Sequence, residues 1–140
     1  MTPADEAIAR RLRAQCERFG WMTGMRTLES PPRAPCITIP EWDEAIVVVA
    51  DEGDEPRVLP LVTHRERPIH DGALPDPDDP ATIGCFAAMA RKATDPRAHV
   101  PPTTDGGWAG MTPHGVGAFW RHARCATEIE AWLAVLEATP

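Results

Sequence analysis

Residues 75–96, PDPDDPATIGCFAAMARKATDP, constrain the fold of this chain more tightly than any other stretch, because they hold one helix between two stops. Asp79 is an N-cap, since its carboxylate accepts from the free amides of a first helical turn. Pro80 follows at the first helical position, where its missing N–H is not needed. Asp78 and Asp79 put negative charge at the positive end of the helix dipole, and Arg91 and Lys92 put positive charge near the other. Ile83, Phe86, Ala87 and Ala90 recur at helical spacing and define one apolar face. Gly84 weakens the helix by roughly 1 kcal/mol relative to Ala unless a neighbour packs against the backbone there. Thr94-Asp95-Pro96 ends the run, because a residue before proline avoids the helical region. The small residues Gly84, Ala87, Ala88 and Ala90 predict a core helix lying close on a sheet.

This helix separates an acidic, strand-rich first half from a second half rich in Trp and His. Residues 2–19 read as an amphipathic helix with Thr2 as cap, Pro3 at its start and Ile8, Leu12, Cys16 and Phe19 as its apolar stripe. Gly20 stands where a C-cap belongs. Strands are predicted over residues 21–28, 36–39, 45–50 and 57–63. The β-branched third of these is apolar on both faces, as in a central strand. Pro60 demotes the fourth to an edge or a bulge. Residues 64–79 are proline-rich and read as an irregular loop. Beyond the central helix, residues 108–111 and 116–122 form two short strands around a turn at 112–115. A last helix starts at Thr127, which with Glu130 matches a capping box, and buries Ile129, Trp132, Leu133 and Leu136. The chain of 140 residues is expected to form a single α+β domain over 1–140. Its sheet is mostly antiparallel, with about five or six short strands and three helices (N-terminal, central and C-terminal). Its 16 prolines call for many loops.

Charge narrows the function. Residues 41–80 carry 12 acids against 3 arginines, so the net charge of −7 comes from the middle of the chain. With one Lys and no long basic run, the sequence argues against direct nucleic-acid binding. The first residues lack the apolar segment of a signal peptide, and no apolar run approaches the roughly 20 residues of a membrane span. The expectation is therefore a cytoplasmic protein without membrane contact. Cys16, Cys36, Cys85 and Cys125 are scattered singly and read as thiols rather than disulfides. Oligomeric state is left open.

Several residues are candidates for chemistry or recognition. His122 and Cys125 lie three apart, but zinc takes about four ligands in paired clusters, and no CxxC or HxxxH accompanies them. Cys85, one turn into the central helix, has the dipole to lower its pKa, yet it sits beside core positions. His64 and His70 bracket Glu66 and would make a general acid/base cluster if they converged. The glycines of 110–115 precede no helix, which argues against a phosphate cradle. Asp51, Glu52, Asp54 and Glu55 form an acidic turn that suits a basic partner but lacks the spacing of a calcium loop. Trp108 and Trp120 either close a small hairpin core or expose aromatic surface to a partner. No cofactor is implied.

Two stretches, DPATIGCFAAMARKA at 79–93 and ATEIEAWLAVLEATP at 126–140, together resemble the C-terminal half of small uncharacterised proteins encoded by phages and prophages. Those proteins share a DPAT-x-GC helix start, a sheet segment, and a TE-x-EA helix ending in LEA; the PPTTDGGW loop of this chain departs from their pattern. The resemblance implies a mobile-element accessory protein and carries no functional residue. Together with the acidic middle and the lack of a catalytic cluster, it favours a non-enzymatic protein of the bacterial host cell that binds a host or phage macromolecule, for instance to inhibit a host defence system. Two alternatives stand beside it: a small hydrolase or transferase using His64, His70 or Cys85, and a minor virion or assembly component.

Overall fold

The computed structural model describes residues 2–28, 46–50, 55–60, 65–69 and 71–140. Among these residues it has an α+β fold with three helices, a five-stranded antiparallel sheet and a two-stranded sheet. The chain divides into two compact units, Met1–Thr82 and Ile83–Pro140.

In the first unit, α1 (Pro3–Phe19) opens on a full capping box: Thr2 Oγ1 accepts from the Asp5 amide and the Asp5 carboxylate returns to the Thr2 amide. Its buried face is Ala9, Leu12, Gln15 and Cys16. Leu12 and Cys16 are as the expected stripe has them, and its other two positions, Ile8 and Phe19, are not buried. Ile8 is half-buried and Phe19 is exposed, its ring covered by the Arg18 guanidinium at 4.6 Å. Gly20 closes the helix at φ +96° by donating to Cys16 O.

The five-stranded sheet has the order β4-β3-β2-β1-β5. Its strands are β1 (Arg26–Leu28), β2 (Ile46–Val49), β3 (Arg57–Pro60), β4 (Arg67–Pro68) and β5 (Leu74–Pro75). Val48 and Val58 pair across β2 and β3 and are fully buried, as the β-branched run predicts. The segment read as an irregular loop supplies both outer strands. Pro68 and Pro75 sit there because an outer strand leaves donors unused, so a missing N–H costs little. The expected strand at 36–39 lies outside the described residues.

Thr82 fastens the end of this unit. Its hydroxyl is fully buried, accepts from the Arg26 amide at 2.9 Å and donates to Asp79 Oδ2 at 3.1 Å. Asp79 also accepts from the Thr82 amide at 2.8 Å, which is the N-cap bond of α2 (Pro80–Ala93), and pairs with Arg26 Nε at 3.4 Å. Asp76 N donates to Arg26 O at 2.8 Å, so both backbone groups of Arg26 are satisfied by the segment that leads into α2.

In the second unit the rest of α2 buries Phe86, Ala87, Met89 and Ala90. Gly84 and Ala88 are exposed, and a Cβ built at Gly84 meets nothing within 4 Å. The expected close approach at these two small residues is therefore absent. Helix α3 (Glu128–Glu137) buries Ile129, Ala131, Trp132, Leu133, Val135 and Leu136, a wider face than the four expected positions. Thr127 Oγ1 accepts from the Glu130 amide at 3.4 Å. That bond is one half of the expected box, and the Glu130 carboxylate accepts from the Thr127 hydroxyl at 2.8 Å. Gly110 is needed for α3 to approach, since a Cβ there would stand 2.4 Å from Val135 Cγ2.

Two substitutions test these assignments by chemical denaturation. Thr82→Val keeps the volume but strands the Arg26 amide, and should cost about 1–3 kcal/mol. Gly84→Ala should stabilise by roughly 0.5–1 kcal/mol, because the site is helical, open and free of steric contact.

Candidate functional site

The β6 (Met111–Pro113) and β7 (Phe119–Arg121) hairpin of the second unit carries its largest exposed apolar side chains. The turn closes with His114 N donating to Ala118 O at 2.9 Å and uses Gly115 and Gly117 at φ +71° and +73°. Those angles favour glycine strongly, which explains the G-V-G sequence at the tip. The register pairs Met111 with Arg121, Thr112 with Trp120 and Pro113 with Phe119. On the far side of β6, His99 and Met111 exchange both backbone hydrogen bonds, at 3.1 and 2.8 Å.

Alternation puts Trp120, Thr112, His114 and His122 on one face of the hairpin and Phe119, Pro113 and Arg121 on the other. Trp120 is 59% exposed, Phe119 43%, and Val116 at the tip fully so. Each ring has an edge-on imidazole beside it: His114 lies 5.6 Å from Trp120 and His99 lies 5.2 Å from Phe119 between centroids. Both rings are thus braced on one side and open on the other.

Past the hairpin the chain bulges. His122 N bonds Gly110 O, whereas Cys125 and Trp108 exchange both backbone bonds, so residues 122–125 span one residue more than the facing 108–110. Arg124 lies in this bulge and reaches Asp105 at 2.9 Å, passing so close to Gly107 that a Cβ there would meet its Nε at 2.4 Å. Hydrogen bonding by Thr103, and then by Arg124, lowers the Asp105 carboxyl to about 2.

His122 is half-buried, with Nε2 3.1 Å from Thr112 Oγ1, and burial lowers its pKa. It lines a cleft of about 350 Å³ with Thr94, Asp95, Thr112, Val135 and Thr139. The polar groups of that cleft are already engaged: Thr94 donates to Ala90 O, Thr139 to Val135 O, and Asp95 pairs with Arg97. In the first unit a cleft of about 440 Å³ lies between Glu55, Arg57, Glu66 and Arg67, and is crossed by the Arg57–Glu66 ion pair.

Of the two candidate tryptophans Trp120 is exposed, while Trp108 is half-buried between its bridges to Pro102 and Cys125. Glu55 is exposed; Asp51, Glu52, Asp54, His64 and His70 lie outside the described residues. Cys85 and Cys125 are half-buried, and Cys125 donates to Ala123 O at 3.6 Å. Among the described residues no group of three or more His, Cys, Asp or Glu is placed to hold a metal ion. Nor is any described helix long and apolar enough to cross a membrane. The bracing histidines are what sequence reasoning missed. The adjacent pair Phe119-Trp120 was visible in the sequence, and strand alternation sends its two rings to opposite faces.

Comparison of the chain with protein-family models, curated proteins and solved structures finds no match.

His122 sets a pH dependence. Its folded pKa lies below the ordinary 6.5, so the unfolded chain binds the proton more readily. The stability it contributes is complete above that value and is lost as pH falls through the lowered folded pKa. Denaturation midpoints should fall between about pH 7.5 and about pH 5, with a shallower fall in His122→Gln.

Proposed function

We propose that this protein is a non-enzymatic binding protein that engages a macromolecular partner, most simply another protein, through the aromatic surface of the β6–β7 hairpin. The observation that supports this is the joint exposure of Val116, Phe119 and Trp120 on one short hairpin. Exposing rings of this size to water is unfavourable by on the order of 25 cal/mol per Å² of apolar area, and a partner that covers them recovers that free energy. Their bracing by His99 and His114 lowers the ordering cost of contact. The reading fits the accessory proteins of phages and prophages that the helices at 79–93 and 126–140 resemble, including an inhibitor of a host defence system.

The test is affinity capture from a bacterial lysate with the tagged chain and with a Phe119→Ser/Trp120→Ser variant of unchanged thermal melt. A dominant partner held by the parent chain and lost from the variant is expected, since removing a central aromatic anchor costs about 2 kcal/mol or more. Capture of nothing, or equal capture by both chains, would sink the reading.

A further inference from the structure

We infer that the outer edge of β7 takes its partner by β-strand addition, and that the segment added is an extended acidic peptide. This rests on the proposed binding role of the hairpin and specifies its mode and the chemistry of its ligand.

The hydrogen-bond alternation of an antiparallel pair decides which backbone groups are free. His114 bonds Ala118, and His122 bonds Gly110, in the register that pairs Thr112 with Trp120. Residues 118, 120 and 122 therefore turn their backbone groups inward to β6. Phe119 and Arg121 occupy the non-bonded positions, so their N–H and C=O groups point away from the hairpin. β7 is the outer strand of its two-stranded sheet, and all three of its residues are exposed. An open edge of this kind is a template for pairing with another chain. Residues 119–121 contain no proline, and the bulge at 123–124 limits the template to this short stretch.

Side chains complete the groove. Trp120 projects on one face of the edge and Phe119 on the other, so a strand laid beside β7 would find a ring above it and a ring below it. Four backbone groups on so short an edge give modest affinity, which these two rings raise.

Charge selects the occupant. Residues 106–127 contain no Asp or Glu, although the chain as a whole is strongly acidic. Arg121 is exposed, lies on the edge itself, and forms no ion pair among the described residues. An acidic strand is attracted here and a basic one repelled.

The probes are two labelled seven-residue peptides, one alternating glutamate with valine and one alternating lysine with valine. The acidic peptide should bind at least tenfold more tightly than the basic one, and more weakly as salt rises. On binding, amide exchange followed by NMR should slow at Phe119 and Arg121, while Trp120 is already protected in the free chain. Arg121→Pro removes one outward N–H without touching the β6 ladder, and should weaken binding at least tenfold. Arg121→Gln removes only charge, and should weaken it severalfold and flatten the salt dependence.

Absence of acidic-peptide binding, or no new protection at Phe119 and Arg121, overturns strand addition. The exchange measurement uses the unaltered chain, so the result stands even if Arg121→Pro does not fold. A labelled oligonucleotide that competes for the edge, or a dimer of the chain that Arg121→Pro dissociates, would assign the edge to nucleic acid or to a second copy and overturn the acidic peptide. A captured partner lost from Phe119→Ser/Trp120→Ser but kept by a folded Arg121→Pro would leave the hairpin reading standing and remove strand addition alone.

Discussion

One buried hydroxyl, that of Thr82, holds the sheet to the start of the central helix. Between Leu74 and Pro80 the chain has three prolines at 75, 77 and 80, so it has few amides with which to continue a ladder against β1. The ladder is completed by other means. Asp76 supplies an amide to Arg26 O, and the Thr82 side chain supplies the acceptor for Arg26 N. Asp79 then joins both sides, capping the helix through the Thr82 amide and pairing with the Arg26 guanidinium. A proline-rich segment can bound a sheet here because each missing backbone donor is replaced by a side chain or by the amide next to it.

The two ends of the chain solve the edge problem differently. In the first unit the outer strands are two residues long and carry Pro68 and Pro75, and both features discourage further pairing. In the second unit the outer strand β7 has no proline, two aromatic rings and a cation. Since one chain contains both treatments, the open edge of β7 is not a by-product of a proline-poor composition. Charge divides along similar lines. The acids concentrate before residue 80, and the carboxylate-free stretch surrounds the hairpin.

Much of the fold was legible because its signals are local. The caps Thr2, Asp79 and Thr127 each bond an amide three residues on, so sequence spacing alone locates three helix starts. The β2–β3 pairing follows from a β-branched run. Less legible was everything that depends on distant partners. The outer strands β4 and β5 are too short to show periodicity and exist because β3 and β1 offer them ladders. Small residues at Gly84 and Ala88 look like a packing stripe, but their side of α2 faces water. At the candidate site the aromatics were visible and their orientation was not. Whether Phe119-Trp120 closes a core depends on how many layers cover the hairpin, which is a tertiary fact with no local signature.

The same reasoning supports placing the proposed binding on the hairpin rather than in either cleft. A binding site needs groups whose bonding capacity is unspent. In the cleft beside His122 the hydroxyls of Thr94 and Thr139 are turned back on their own helices, Thr112 is held by the imidazole, and Asp95 by Arg97. In the cleft of the first unit Arg57 and Glu66 hold each other. The outward backbone groups of Phe119 and Arg121 and the open faces of the two rings have no comparable partner among the described residues. Water is a poor substitute for the rings and an adequate one for the amides, so the hairpin is stable alone yet retains a net gain on contact. Under the proposed binding role, that combination is what distinguishes the hairpin from a core left incomplete: the backbone tolerates solvent while the side chains still favour being covered.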